Sequence, residues 1–168
     1  MSWTFNIIKN YSLGFVLCFF CGCGIYSFTG ATIEVETISI AFFENRAALI
    51  NPTLSQTFTE SLKDRFISQT KLNLVDIEGQ WQLKGAISSY QVTPIAATAN
   101  EASLNRLTII VNVDFMDITK DDNKWTQSFS RFSDFDATQS LSEVEEALVE
   151  DINEQLVNDI FNKVAVNW

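Results

Sequence analysis

The sequence predicts an α+β domain: a mostly antiparallel sheet of about four to five strands, with two amphipathic helices packed on one face, in the order β-α-β-β-β-β-α. Three observations carry this. Leu54, Phe58, Leu62 and Phe66 repeat at helical spacing, as do Val144, Leu148, Ile152, Leu156, Ile160 and Val164. Between these two stripes, strand-like segments follow one another with no helix among them, so hairpins rather than crossovers join them. The 168 residues suffice for one domain with a core and are too few for two comfortable ones.

The first strand covers Ile33 to Phe43, which alternates and is rich in β-branched residues. Asn51-Pro52 opens the first helix, with Asn51 as N-cap and Pro52 at the first helical position, and the stripe carries it to about Ser68. Leu72 to Ile77 is a short strand closed by a tight turn at Glu78-Gly79. Trp81, Leu83, Gly85 and Ile87 then alternate with polar or small residues, and the strand continues through Tyr90 and Val92 to Pro94. Ile95 to Glu101 reads as a polar loop. Leu107, Ile109, Val111, Val113 and Phe115 form the clearest strand of the chain, and Lys120 to Lys124 is an Asp/Asn-rich hairpin loop. In the returning strand, Trp125 to Phe135, the aromatics Phe129, Phe132 and Phe135 are spaced by three. A flat period-two strand cannot keep these on one face, so the spacing predicts a bulge or twist near Arg131. Ser142 and Glu145 have capping-box spacing and open the last helix, whose stripe is widened by Val149, Val157 and Phe161.

Ahead of this domain the chain changes character. Residues 1–22 read as a lipoprotein signal peptide, 23–31 as a lipidated linker, and 32–168 as the single folded domain. The apolar run around Leu13 to Phe20 is about ten residues long, against the ~20 that a spanning helix needs. All three cysteines, Cys18, Cys21 and Cys23, lie here, so no disulfide framework staples the fold. Phe20-Cys21-Gly22-Cys23 resembles a bacterial lipobox, with Gly22 as the small residue before the cut and Phe20 in place of the usual aliphatic residue. Cys23 is the expected lipidation site, and several acyl chains on one residue anchor stably where one is marginal. An uncleaved anchor over Trp3 to Phe20 is the alternative. Cleavage before Cys23 removes Lys9 and leaves a net charge of −11. So acidic a domain is held at a membrane by its lipid rather than by bulk attraction to anionic headgroups.

Composition argues against several functions. There are 21 acidic residues, 11 basic and no histidine, for a formal charge of −10. A basic nucleic-acid footprint is absent, so no nucleic-acid partner is expected. Without histidine there is no Ser-His or Cys-His nucleophile system and the commonest metal ligand is missing. No Gly-rich phosphate loop occurs. Asp114 with Asp117, or Asp134 with Asp136, has the residue type for an acid/base pair, yet nothing nearby is placed to shift their pKa values, so solvated hairpin edges are favoured. Asp121, Asp122 and Asn123 lack the ligand set and glycine of an EF-hand and read as a plain turn. Glu143, Glu145, Glu146 and Glu150 read as a solvated helix face. We therefore expect no catalytic residues, no metal, no cofactor and no enzyme activity. Fourteen Phe, four Trp and three Tyr remain. Those on the stripes are core, while Trp125, Phe129, Phe132 and Phe135 on one strand are candidate interface anchors.

These residues, taken in order, resemble a family. Cys23-Gly24-Ile25-Tyr26-Ser27-Phe28-Thr29-Gly30, Thr37 through Asn45 with the proline-capped helix, Leu83 through Tyr90, Arg106 through Ile109, Trp125 through Phe132 and the acidic final helix are together similar to LptE-family lipopolysaccharide-assembly lipoproteins of the Bacteroidetes type. The resemblance implies an outer-membrane lipoprotein that binds and plugs the LptD-like β-barrel. It also implies help with barrel assembly and with insertion of lipopolysaccharide into the outer leaflet. Basic residues contact lipopolysaccharide in better-studied relatives; here Lys84, Arg106 and Arg131 are the strand cations available for phosphate contacts, although solvated strand charges are the blander reading and the acidic total opposes binding an anionic glycolipid directly. The stretch after Cys23 lacks the acidic residues of a surface-export signal, which implies a periplasm-facing anchor. Ile40 to Arg46 also resembles the first strand of TolB-like or CsgG-like lipoproteins, whose role is an oligomeric secretion or scaffold component.

Overall fold

A computed structural model describes residues 35–49, 51–95, 103–120 and 122–166 of the chain. The expected signal peptide, the lipidation site Cys23, the linker, most of the 95–101 loop and Asp121 lie outside the described residues. The strands are β1 (Thr37–Ile40), β2 (Glu44–Asn45), β3 (Asn73–Leu74), β4 (Trp81–Ile95), β5 (Leu104–Asp117) and β6 (Lys124–Asp136); the helices are α1 (Leu54–Gln69) and α2 (Leu141–Ala165).

The six strands form one sheet in the order β3-β1-β4-β5-β6, with β2 also paired to β4. The long β4–β5 and β5–β6 ladders are antiparallel, as hairpins require. At the other side the sheet is mixed: β1 runs parallel to both β3 and β4, and β2 runs parallel to β4. The reason is the crossover through α1, which returns the chain in the direction it left. Of the expected strand Ile33 to Phe43, only β1 is regular among the described residues; the chain leaves the ladder at Ala41–Phe43, where Phe43 drops into the core, and β2 starts just beyond the expected end.

That interruption is held from above. The buried Thr59 hydroxyl of α1 accepts a hydrogen bond from the Phe43 N–H (3.1 Å) and donates one to the Ser55 carbonyl (2.7 Å). The Phe43 ring meets Phe58 edge-on at 5.2 Å. Beneath it lies Gly85, where an added Cβ would sit 2.5 Å from Phe43 Cε1 and collide with the Asn112 carbonyl. Close approach, not backbone angle, requires that glycine. In the Glu78-Gly79 turn the positive φ (57°) belongs to Glu78, while Gly79 lies against the β1 backbone, 2.6 Å from the Ile38 carbonyl carbon measured from an ideal Cβ.

Both helices cover one face. The α1 stripe Leu54, Phe58, Leu62 and Phe66 is fully buried, as are Ile152, Leu156 and Ile160 of α2. Asn51 does cap α1, accepting from the Thr53 and Leu54 N–H groups at 3.1 and 3.0 Å, but Pro52 and Thr53 form a turn and the regular helix starts at Leu54. The capping box of α2 is Ser140 with Glu143, two residues before the expected Ser142 and Glu145; Glu143 accepts from the Ser140 N–H at 2.8 Å.

Of the bulge or twist expected near Arg131, the bulge is absent. The β5–β6 register runs without a break from Leu104↔Asp136 to Met116↔Lys124. Phe129 and Phe135 face the helices and are buried, whereas Phe132 lies on the opposite face, 47% exposed. A period-two strand separates residues three apart, and that is what happens. The irregularity falls instead in β4, where the register shifts between Ile87 and Ser89. Trp81, Leu83 and Ile87 point inward before it, and Tyr90 does so after it.

Thr59→Val tests the buried hydroxyl. It keeps the side-chain shape but leaves the Phe43 N–H without an acceptor. We expect a loss of about 1–3 kcal/mol in urea unfolding, with the same variant at exposed Thr57 near neutral.

Candidate functional site: the uncovered sheet face

The face away from the helices is built from alternate residues of β4, β5 and β6. On β5 these are Arg106, Thr108, Ile110, Asn112, Asp114 and Met116, and on β6 Lys124 through Asp134 at every second position. Nothing among the described residues covers it. Near the β5–β6 hairpin it carries a hollow of about 450 Å³, lined on this face by Gln82, Lys84, Asp114, Met116, Lys124 and Thr126. The Thr126 hydroxyl donates to Asp114 at 2.6 Å.

The strand cations separate. Lys84 is exposed on this face beside the hollow. Arg106 shares the face and makes a bidentate pair with Asp134 (2.7 and 2.8 Å), with its guanidinium 3.5 Å above the Phe132 ring. That hydrogen-bonded pair holds the Asp134 carboxyl below its usual range and raises the Arg106 guanidinium. Arg131 has the other parity and turns to the helix side, where it grips Asp159 of α2 at 2.6 and 2.8 Å. The aromatics separate too. Phe132 alone of the four belongs to the uncovered face; Phe129 and Phe135 are core, and Trp125 is half-buried, stacked on Phe115 at 5.4 Å with the Lys163 ammonium 5.7 Å from its ring. Lys124 was not among the sequence candidates. Its signal was available, because it shares parity with Thr126 and pairs with Met116.

The carboxylates considered for acid/base chemistry have structural partners. Asp117 is buried and on the opposite face from Asp114. Burial pushes its carboxyl up. Hydrogen bonds from the Thr119 hydroxyl and N–H, the Trp81 indole and the Asn123 amide outweigh that and set it below its usual value. The Thr119 bonds are 2.6 and 2.9 Å long. Asp136 caps the next turn through Thr138. No group of three or more metal-ligating side chains occurs among the described residues.

The helix side has a second concavity, a cleft of about 890 Å³ between α1 and α2. Glu145, Glu146, Glu150 and Glu154 line it, and Asn153 is buried there with both amide atoms unpaired. Glu145 is more than a solvated charge. It accepts from the Tyr90 hydroxyl at 2.6 Å and from the Asn51 amide at 2.9 Å, tying β4, α1 and α2 together. Burial and the facing carboxylate push the Tyr90 phenol well above its usual pKa. Arg65 of α1 donates to Asn158 of α2.

Asp117, on the helix side of the sheet, makes the stability of the fold depend on pH. With a folded pKa below the unfolded one, its contribution is complete above about pH 4 and is lost as pH falls through the lowered value. We expect Asp117→Ala to cost about 1–3 kcal/mol at neutral pH, and its denaturant midpoint to approach that of the wild type on acidification.

Comparison with known proteins agrees with this architecture. A minor lipoprotein from Acinetobacter baumannii superimposes with a TM-score of 0.54 at 12% identity, over 79% of this chain and 94% of that one. Rare lipoprotein B from Shewanella oneidensis gives 0.50 at 14% identity, over 77% and 94%, and a hypothetical protein from Chlamydia trachomatis gives 0.52 at 11%, over 78% and 96%. At these identities the likeness is one of fold. No curated protein matches the chain. No helix among the described residues is long and apolar enough to cross a membrane. The family described as "LptE: Lipopolysaccharide-assembly" matches residues 35–164, nearly the whole described domain. The chain is therefore a member of the LptE lipopolysaccharide-assembly family.

Proposed function

We propose that this chain is an outer-membrane lipoprotein, anchored through Cys23 and facing the periplasm, that docks in the lumen of an LptD-like β-barrel and assists lipopolysaccharide insertion. The observation that carries the reading is the uncovered sheet face of a family member. A two-layer α/β domain normally needs only one sheet face covered, and the free face here is polar rather than apolar. Such a surface suits the polar interior of a large barrel. Lys84 and Lys124 flank a hollow on it, and both sit on rigid strands. Arg106 adds a third cation there, already held by Asp134. Arg131, engaged with Asp159 on the helix side, serves to fix α2. Phosphate groups of lipopolysaccharide are the ligands that Lys84 and Lys124 would meet. The chain's negative charge keeps free anionic glycolipid at a distance until the barrel presents it.

The test is a gentle-detergent pull-down of the full-length tagged protein from its own outer membrane, with mass spectrometry of what comes with it. We expect a stoichiometric large β-barrel, and its recovery to fall several-fold for the double variant Lys84→Glu/Lys124→Glu while the wild-type circular dichroism spectrum is kept. A homo-oligomer with no barrel contradicts the reading. Separately, Cys23→Ala should move the protein out of the membrane fraction with its fold intact.

A further inference from the structure

The cleft of about 890 Å³ between α1 and α2 lies on the helix side of the sheet and shares no lining residue with the hollow of the uncovered face. Four-residue spacing along α2 gives it two rows. Val149, Asn153 and Val157 form a buried row, and Glu146, Glu150 and Glu154 an exposed one. Among the described residues none of these three carboxylates has a hydrogen-bonding or ionic partner. α1 brings hydroxyls at Thr57 and Ser61 and one cation, Arg65, which donates to Asn158. The cleft is therefore acidic and uncompensated. In the middle of the buried row Asn153 is only 3% exposed, and neither its Oδ1 nor its Nδ2 has a hydrogen-bond partner. Burying an amide unpaired opposes folding, so its presence at this position needs a cause.

We propose that this cleft binds a basic polypeptide segment of a partner protein. The Asn153 amide presents a donor and an acceptor side by side, the complement of the C=O and N–H of a peptide backbone. The glutamate row sets the second requirement. Its carboxylates repeat about every 6 Å along the helix, and alternate side chains of an extended chain repeat about every 7 Å. A segment with Arg or Lys at alternate positions can therefore set its cations along the row while its backbone lies over Asn153. Val149 and Val157, on either side of the amide, meet the aliphatic stems. This chain has no such segment of its own to offer: outside the described residues its one cation is Lys9, in the expected signal peptide. A second copy, with a formal charge of −10, is repelled. Among the described residues no three acidic side chains converge as metal ligands would. The cleft and the uncovered face lie on opposite sides of the sheet, so both can be occupied at once. The inference goes beyond barrel docking and does not depend on it.

The experiment titrates the full-length protein, in a non-ionic detergent at low ionic strength, with the peptide acetyl-Arg-Ala-Arg-Ala-Arg-amide in a calorimeter. We expect binding at one site. Glu146→Gln/Glu150→Gln, at exposed positions the core does not use, should weaken it about fivefold. Asp76→Asn/Glu78→Gln removes the same charge from the exposed turn before β4 and should leave it nearly unchanged. Asn153→Leu should weaken the peptide about tenfold, and should not lower the urea midpoint of the free protein, because it removes an unpaired amide at similar volume. Spermine, which carries the charges without a peptide unit, should bind about tenfold more weakly than the peptide. No binding, equal weakening by the two double variants, or affinity kept by Asn153→Leu or matched by spermine overturns the proposal. Barrel recovery in the pull-down is read separately, so either result stands without the other.

Discussion

The architecture depends on β4 having partners of opposite sense on its two sides. One side takes β1 and β2 in parallel and the other takes β5 antiparallel. A strand so placed must bury side chains along most of its length, yet its fifteen residues are too long for one untwisted alternation to follow the helix layer. The bulge at Ser88 resolves this by one extra residue. It switches the inward phase from Ile87 to Tyr90, and the Ser88 hydroxyl bonds to the Ile110 carbonyl at 3.3 Å. Tyr90 can then reach Glu145, and through it Asn51, so the start of both helices is referenced to the central strand. The uncovered face takes its array of polar positions from the same arrangement.

Charge is used sparingly and locally. Of the few cations, Arg65 and Arg131 join α2 to α1 and to β6, and Arg106 is locked to Asp134 over the Phe132 ring. Exposed pairs of this kind add little stability; their effect is to set where helices and side chains lie. The lysines beside the hollow of the uncovered face stand apart from these ties. In a strongly acidic protein, two cations at one rigid hollow make a local feature that the net charge hides.

Much of this was legible from residues. The helix stripes, the hairpins and the buried face of β5 follow from periods of 3.6 and two. What failed had specific causes. The three-residue spacing of Phe129, Phe132 and Phe135 needs no bulge, because the regular strand simply divides them between its two faces. The true bulge had left its mark: inward positions in β4 are odd up to Ile87 and even from Tyr90, a phase change visible in the sequence. The parallel pairs were also implied, since a helix intervenes between β1 and β3. Sequence alone could not show which cations were engaged, because Asp134 and Asp159 reach their arginines from 28 residues away. Nor could it show that Glu145, one of a run of acids, would hold Tyr90.

The family membership, the fold and the uncovered face converge on a domain whose helices complete its own core and whose sheet is left for something else. The central claim is that this face is covered in the working assembly. Lysine-reactive footprinting tests it most directly, comparing the protein in intact outer membranes with the detergent-separated chain. The account predicts that Lys84 and Lys124 become protected in the membrane while exposed Lys71, beyond the end of α1, stays reactive. Equal labelling of Lys84 and Lys124 in both preparations would contradict it.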